Sequence, residues 1–276
     1  MLEPIVSIEW LNENLNNPDL IILDSSPKEN KSGLETKHKD LQIIGARYFD
    51  LDGKFSCDKT DLPHMLPAQE KFEEESRKLG INTNSLIVVY DNIGVYASPR
   101  TWWMFKIMGH QNVYVLDGGI SAWVGKGLPV EEIKSSHYNY GNFKASLNPN
   151  LVRNLDFIKE NLSSNFEQVI DARSAERFHA KAPEPREGLR SGHIPNSLNL
   201  PFQSLLRNGK FKSKNEIKEL FDELNIDERP LIFSCGSGLT ACITFLAANL
   251  VLKNDLSIYD GSWTEYAQDL DVPIEK

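Results

Sequence analysis

Short apolar runs alternate with amphipathic stretches along the whole chain. In the C-terminal half, the runs at 168–171, 197–200, 231–234 and 256–259 read as strands, and 152–162, 215–224 and 240–252 carry helical spacing. The N-terminal half alternates in the same way, with Leu86-Ile87-Val88-Val89-Tyr90 its clearest strand. Short, nearly all-apolar strands separated by helices predict parallel sheets covered by helices on both faces, an α/β fold.

The two halves also repeat each other. Trp10, Leu11, Leu15 and Asp24 match Phe157, Ile158, Leu162 and Asp171 at one constant spacing. Further along, Ile44 pairs with Ile194, Asp91 with Cys235, and Asp117 with Asp260, in the same order. Repetition of this kind marks a tandem duplication. It predicts a domain at 1–124, a polar Gly/Pro-containing linker at 125–150, and a second domain at 151–276. The first copy is the longer one between its matched positions, and the extra residues fall in the segment 50–67. Extra loop length in one copy of a repeat is a place to look for function.

Composition narrows the class. The chain has 276 residues and a formal net charge of −9, which argues against a general nucleic-acid or anionic-membrane binder. Its 3 cysteines include no CxxC pair and do not make a disulfide framework. They suit a reducing compartment, and the acidic N-terminal stretch containing Glu3, Glu9, Glu13 and Asp19 is unlike a transit peptide. The longest apolar stretch, Ala241 to Leu252, is too short to span a bilayer. The expectation is a cytoplasmic protein with no membrane partner.

The main chemical signal is Ser234-Cys235-Gly236-Ser237-Gly238-Leu239-Thr240-Ala241, set between a strand-like run and an apolar helix. A cysteine at the carboxyl end of a parallel strand lies where open α/β sheets bind ligands. Gly236 and Gly238 let the backbone curl so that successive N–H groups converge on an anion, and the next helix adds the positive end of its dipole. These features favour thiolate over thiol at Cys235, lowering a pKa that starts near about 8.5, and the sulfur is expected to be reachable from solvent. The plainer reading is a buried cysteine on a tight turn, but a merely packed cysteine needs no such cradle. Such a nest serves either phosphate-ester cleavage or sulfur transfer. A Cys-based phosphatase would carry Arg six positions after the Cys, where this chain has Ala241.

The loop, the Asp-Ala-Arg start at 171–173 and Gly-His-Ile-Pro-Asn-Ser at 192–197 together resemble the tandem-domain rhodanese superfamily over nearly the whole chain. Within it, Cys-Gly-Ser-Gly-x-Thr-Ala is similar to the 3-mercaptopyruvate sulfurtransferase branch, with Leu239 where a Val is usual. Thiosulfate-specific members carry basic residues where this chain has Gly236 and Ser237.

The resemblance implies two rhodanese-like domains and one active site. It implies ping-pong sulfur transfer from 3-mercaptopyruvate through a Cys235 persulfide to a thiol, a thioredoxin-like protein or cyanide, with pyruvate released and no cofactor or metal required. Thiosulfate as donor, or a non-catalytic sulfur-carrier or interaction module, are the alternatives. Arg177 and Arg186 match the arginines the family uses on the substrate's carboxylate and carbonyl. Arg173 and Arg190 make the stretch generally basic, so one of the four could instead be structural, Arg173 first. In the extra segment, His64 and Asp52 match a proposed serine-protease-like relay with Ser237; the other reading is that they only order the loop. Gly236, Gly238, Leu239, Thr240 and Tyr96 are further candidates for substrate contacts. Asp91 cannot carry a sulfane sulfur, so the first copy is expected to be silent, forming a cleft wall. Cys242 reads as core and Cys57 as incidental. His38, His110, His137, His179 and His193 show no metal-ligand spacing, and Trp102-Trp103-Met104-Phe105 reads as helix core.

Overall fold

Both predicted sheets form, and their strands are arranged identically. The computed structural model describes residues 3–29, 33–134 and 136–276. Its first five-stranded sheet places Ile5–Val6 at one edge, followed by Val113–Leu116, Leu86–Tyr90, Leu20–Asp24 and Arg47–Tyr48. The second places Val152–Arg153 at one edge, followed by Leu256–Tyr259, Leu231–Ser234, Gln168–Asp171 and Leu198–Asn199. Numbered along each half, both read first, fifth, fourth, second, third. All pairings within the two sheets are parallel. Two copies of one open α/β topology are what a tandem duplication produces.

The chain divides into two units. One holds Met1–Asp58, Leu66–Asn148 and Asn208–Phe211; the other holds Lys59–Met65, Pro149–Arg207 and Lys212–Lys276. These boundaries correct the expected division in two places. Residues 125–148 are not a linker but part of the first unit. Val130–Glu132 pairs antiparallel with Leu41–Ile43, and Phe143 is buried among the rings of Phe72, Phe105 and His110. The Gly and Pro content of this stretch hid a few apolar anchors. The second correction is that Lys59–Met65, inside the extra segment of the first copy, belongs with the second unit.

Local chemistry sets the helix boundaries. The helix predicted from 152 starts at Leu155, because Val152–Arg153 is taken up as an edge strand and the Asn154 side chain caps Phe157 N–H at 3.0 Å. Ser213 and Glu216 form a capping box on Lys214–Glu223. The helix Ala241–Val251 is largely apolar, and Ala241 to Ala248 are all buried. Trp102, Trp103, Trp123 and Trp263 fill the cores, so the Trp102–Phe105 cluster is indeed packing.

The first unit's central strand Leu86–Tyr90 runs into Asp91, a fully buried carboxylate. Its Oδ1 accepts the N–H groups of Ile93 (3.0 Å) and Gly94 (3.1 Å). Its Oδ2 accepts those of Tyr96, Ala97 and Ser98, each at 2.9 Å, and the Ser98 hydroxyl at 2.7 Å. One side chain thus satisfies a whole loop of converging amides. Asp91→Ala removes their acceptor, and hydrogen bonds to charge are worth about 1.5–3 kcal/mol each before the remaining donors relax or recruit water. The expected net loss is about 3–5 kcal/mol in denaturant unfolding; a change below about 0.5 kcal/mol would contradict this account.

Glu131 ties the two-stranded ribbon to its neighbours. Lys134, the Gly45 amide and the Gln42 side chain donate to it and pull its carboxyl down to about 2. A folded-state value below the unfolded one gives stabilisation that is present above about pH 4.5 and lost as pH falls toward 2. Hydrogen exchange at the Gly45 amide should therefore stay protected down to about pH 3. Glu131→Gln should weaken that protection at neutral pH and flatten its acid dependence.

Candidate active site

Two neighbouring strands deliver the groups singled out by the sequence. Gln168–Asp171 and Leu231–Ser234 pair in parallel with Asp171 opposite Ser234, so the loops leaving their carboxyl ends start side by side. From Asp171 the chain goes on to the edge strand Leu198–Asn199; from Ser234 it goes to Leu256–Tyr259 on the opposite side. That divergence is the switch point at which open α/β sheets bind ligands.

Cys235 opens the second loop. Of its two glycines, only Gly238 takes a left-handed conformation, with φ +75°. Gly236 serves differently: a Cβ there would stand 3.2 Å from Arg177 Nη2, so its hydrogen lets the guanidinium approach. The curl expected of both glycines is thus supplied by one.

The loop is fastened by the turn Gly261–Thr264. Ser262 Oγ accepts the N–H groups of Cys235 (3.2 Å) and Gly238 (3.1 Å) and donates to Tyr259 O (2.8 Å). Trp263 N–H donates to Cys235 O at 3.0 Å. Thr264 gives both its N–H (2.9 Å) and its hydroxyl (2.5 Å) to Gly236 O. In a trans peptide the carbonyl and the following N–H point in opposite directions. Holding the carbonyls of residues 235 and 236 therefore aims the amides of Gly236 and Ser237 away from this turn.

The first unit shows what such a loop binds. Ser237, Gly238, Thr240, Ala241 and Cys242 occupy the repeat positions of Ile93, Gly94, Tyr96, Ala97 and Ser98, whose amides hold Asp91. Cys235 replaces that carboxylate, and the helix Ala241–Val251 begins at the same loop. Two of this loop's amides have other acceptors, Gly238 donating to Ser262 Oγ and Cys242 to Leu239 O, so the first unit's nest is repeated in position and not in its full bonding. The expectation of a solvent-open thiol needs correcting, because Cys235 is only 1% exposed. The buried turn at Ser262–Thr264 and the buried start of the helix pack round it. Leu239 is buried, and Thr240 stands at the N-cap position of the helix without a side-chain capping bond. Cys242 lies in the core, its thiol donating to Gly238 O at 3.3 Å, and Cys57 is a partly exposed free cysteine.

The four arginines separate by their partners. Arg173 is fully buried and forks onto Asp171 (Nε–Oδ2 2.9 Å, Nη2–Oδ2 2.6 Å), with Nη1 on Glu184 Oε1 at 2.9 Å and its guanidinium 4.3 Å over the Trp263 ring. Burial opposes its charge, but Asp171 and Glu184 outweigh burial and hold it more firmly protonated than usual. Arg190 donates to the carbonyls of Tyr266, Ala267, Asp269 and Val272 and so secures the C-terminal segment. Both are structural. Arg177 lies against Gly236 with its side chain 23% exposed, but its Nε and Nη2 are committed to Glu184 (3.2 and 2.6 Å). Arg186 is partly exposed and reaches Thr264 Oγ1 at 3.4 Å. The two candidates therefore differ: one is half-neutralised and the other is held only by a long contact.

His64, in the Lys59–Met65 segment of the same unit, places Nδ1 3.0 Å from Ser237 Oγ, a distance over which a proton is shared. It adopts φ +62°, a left-handed conformation uncommon for a non-glycine residue. Asp52 and Tyr96 belong to the first unit. Asp52 is exposed there, and the Tyr96 amide is one of the donors to Asp91. Among the described residues, no three His, Cys, Asp or Glu side chains cluster as a metal site, and no helix is long and apolar enough to cross a membrane.

Sequence reasoning missed Ser262, Thr264 and Glu184. Ser262 had a signal: the matched segments Asp-Gly-Gly-Ile and Asp-Gly-Ser-Trp differ at the position of Gly119 and Ser262, which adopt φ +56° and +50°. A serine kept where the first copy uses glycine points to a job for the hydroxyl.

Residues 7–126 and 154–269 each match the rhodanese-like domain family, and the chain belongs to it. It is 41% identical over 99% of its length to thiosulfate/3-mercaptopyruvate sulfurtransferase 1, mitochondrial, of Arabidopsis thaliana, covering 78% of that protein. It is 40% identical to 3-mercaptopyruvate sulfurtransferase of Homo sapiens, covering 95% of this chain and 91% of the relative. The crystal structure of SseA from Escherichia coli, described as a 3-mercaptopyruvate sulfotransferase, superposes with a TM-score of 0.83 at 34% identity, over 95% of this chain and 99% of that one.

The turn at Ser262 makes a separable prediction. Ser262→Ala and Ser262→Gly both remove the acceptor for two loop amides and should lower kcat roughly tenfold, about 1.4 kcal/mol in the barrier. Glycine relieves the left-handed strain, so the Gly variant should be the more thermally stable of the two. Full activity in the Gly variant would show that only backbone shape matters.

Proposed function

We propose that the chain is a sulfurtransferase that moves sulfur from 3-mercaptopyruvate to a thiol or cyanide through a persulfide on Cys235. The observation that carries this reading is the anion cradle whose first-unit copy holds a carboxylate and whose second copy presents a cysteine in its place. Sulfurtransferase relatives over nearly the whole chain support it.

In the first half-reaction the Cys235 thiolate attacks the donor's sulfur, the carbon–sulfur bond breaks, and its electron pair leaves as the enolate of pyruvate. Arg186 and the free edge of Arg177 face the donor's carboxylate and keto oxygen, where guanidinium donors stabilise the developing charge. The enolate takes a proton, for which the hydrogen bond between Ser237 and His64 supplies a route. In the second half-reaction an acceptor thiolate attacks the outer sulfur and Cys235 returns as thiolate. Asp91 cannot perform this chemistry, so each chain has one active site. The acceptor is a small thiol or a thioredoxin-like protein, and free-thiol usage fits the cytoplasm.

Thiosulfate as the preferred donor is the second reading. A compact dianion calls for added cations next to Cys235, where the chain has Gly236 and Ser237.

Purified protein should release pyruvate from 3-mercaptopyruvate with a kcat/KM above that for thiosulfate; the reverse order would transfer the assignment to thiosulfate. Cys235→Ser should abolish the sulfur adduct seen by mass spectrometry, and an adduct persisting on that variant would refute the nucleophile. Arg186→Ala should raise KM for 3-mercaptopyruvate roughly 10- to 100-fold, the loss of a charge-assisted contact.

A further inference from the structure

Arg177 enters the site as one end of a row of alternating charges, Asp171–Arg173–Glu184–Arg177, and the third member has had no part in the chemistry above. The Glu184 side chain is 2% exposed. Its Oε1 accepts from Arg173 Nη1 (2.9 Å) and Arg177 Nε (3.2 Å), and its Oε2 accepts from Arg177 Nη2 (2.6 Å). Asp171 already balances Arg173 with a two-pronged contact, so the negative charge of Glu184 falls mainly on Arg177. Two of the three nitrogens of that guanidinium are engaged by Glu184, and the one nearest Gly236 is Nη2, itself bonded to Glu184, with Nη1 somewhat farther away. A buried carboxylate within hydrogen-bond distance is poorly screened by water, so it cancels much of the field that Arg177 would project.

We propose that Glu184 is a positioning and specificity-determining residue: it holds Arg177 against the Cys235 loop and reduces the charge presented there, so that the site favours monoanionic keto-acid donors over dianions. With Arg177 largely offset, Arg186 supplies the uncompensated cation. One cation matches the single carboxylate of 3-mercaptopyruvate, whereas thiosulfate brings two negative charges concentrated on one small group. The inference rests on the reading of Arg177 as a donor contact.

The test compares the full-length protein with Glu184→Gln, which keeps the shape and an amide oxygen but removes the charge. Donor use is read as pyruvate released from 3-mercaptopyruvate and as thiocyanate formed from thiosulfate and cyanide. The ratio of kcat/KM for thiosulfate to that for 3-mercaptopyruvate should rise about tenfold, the size expected for one uncancelled charge at this range. KM for thiosulfate in the variant should also grow more steeply with ionic strength. A purely structural role would lower both activities together and leave the ratio and the salt dependence unchanged, and that result overturns the proposal. Because Glu184 is buried between two arginines, circular dichroism and thermal melting accompany the assay. Glu184→Asp, which keeps the charge but withdraws it from Arg177 by one methylene, provides a milder variant. Its ratio should shift the same way by about two- to threefold, and an unchanged ratio in folded Glu184→Asp is equally fatal. A wild-type protein that releases no pyruvate from 3-mercaptopyruvate would instead defeat the functional reading itself.

Discussion

Amides turned toward one point require an anion there. At the end of the first unit's central strand the backbone bends so that several N–H groups converge, and leaving them unpaired in a buried place would be costly. The first unit meets this demand with its own Asp91, which absorbs five amides and a hydroxyl. The second unit places a sulfur atom at the same position. Gly238, the strained Ser262 and the grip of Trp263 and Thr264 on two carbonyls follow from the need to hold that bend. The first copy has closed its nest with an internal ligand, and the second holds a cysteine at the matching position.

Charge is apportioned as carefully as backbone direction. A basic stretch with four arginines in so short a span would, if all were free, make a strongly cationic surface. Instead Arg173 and Arg190 are consumed by a carboxylate fork and by backbone carbonyls, and Arg177 is half-consumed by Glu184. Buried ion pairs stabilise little in themselves once desolvation is counted. Their value here lies in geometry, since the Asp171–Arg173–Glu184 row locks Arg177 against Gly236, where a side chain larger than hydrogen would crowd it.

Much of this was legible in the amino-acid order. The central strands 168–171, 231–234 and 256–259 were readable because buried parallel strands are nearly all apolar, and the repeat was readable because Asp24/Asp171 and Asp117/Asp260 recur in phase. Cys235 and Gly238 were legible because their chemistry depends on residue type at fixed spacing. Other features were not. Residues 125–148 carry loop-like composition, and only tertiary pairing with Leu41–Ile43 and packing of Phe143 make them part of a unit. Val152 and Arg153 carry helical spacing, yet an adjacent strand edge claims them. Glu184 and Thr264 act through contacts that no local spacing announces, and the burial of Cys235 depends on a turn nearly thirty positions away.

That burial bears on how a persulfide would be used. A thiol only 1% exposed is shielded from water and from bulky oxidants, which suits a sulfur atom that must survive between two substrates. Bonding a second sulfur extends the side chain by about 2 Å, the length of a sulfur–sulfur bond. The atom the acceptor must reach is therefore not the buried Sγ but an outer sulfur one bond beyond it. Seclusion of the cysteine and delivery of its cargo are thus separate demands, because the acceptor attacks an atom one bond beyond the thiol sulfur.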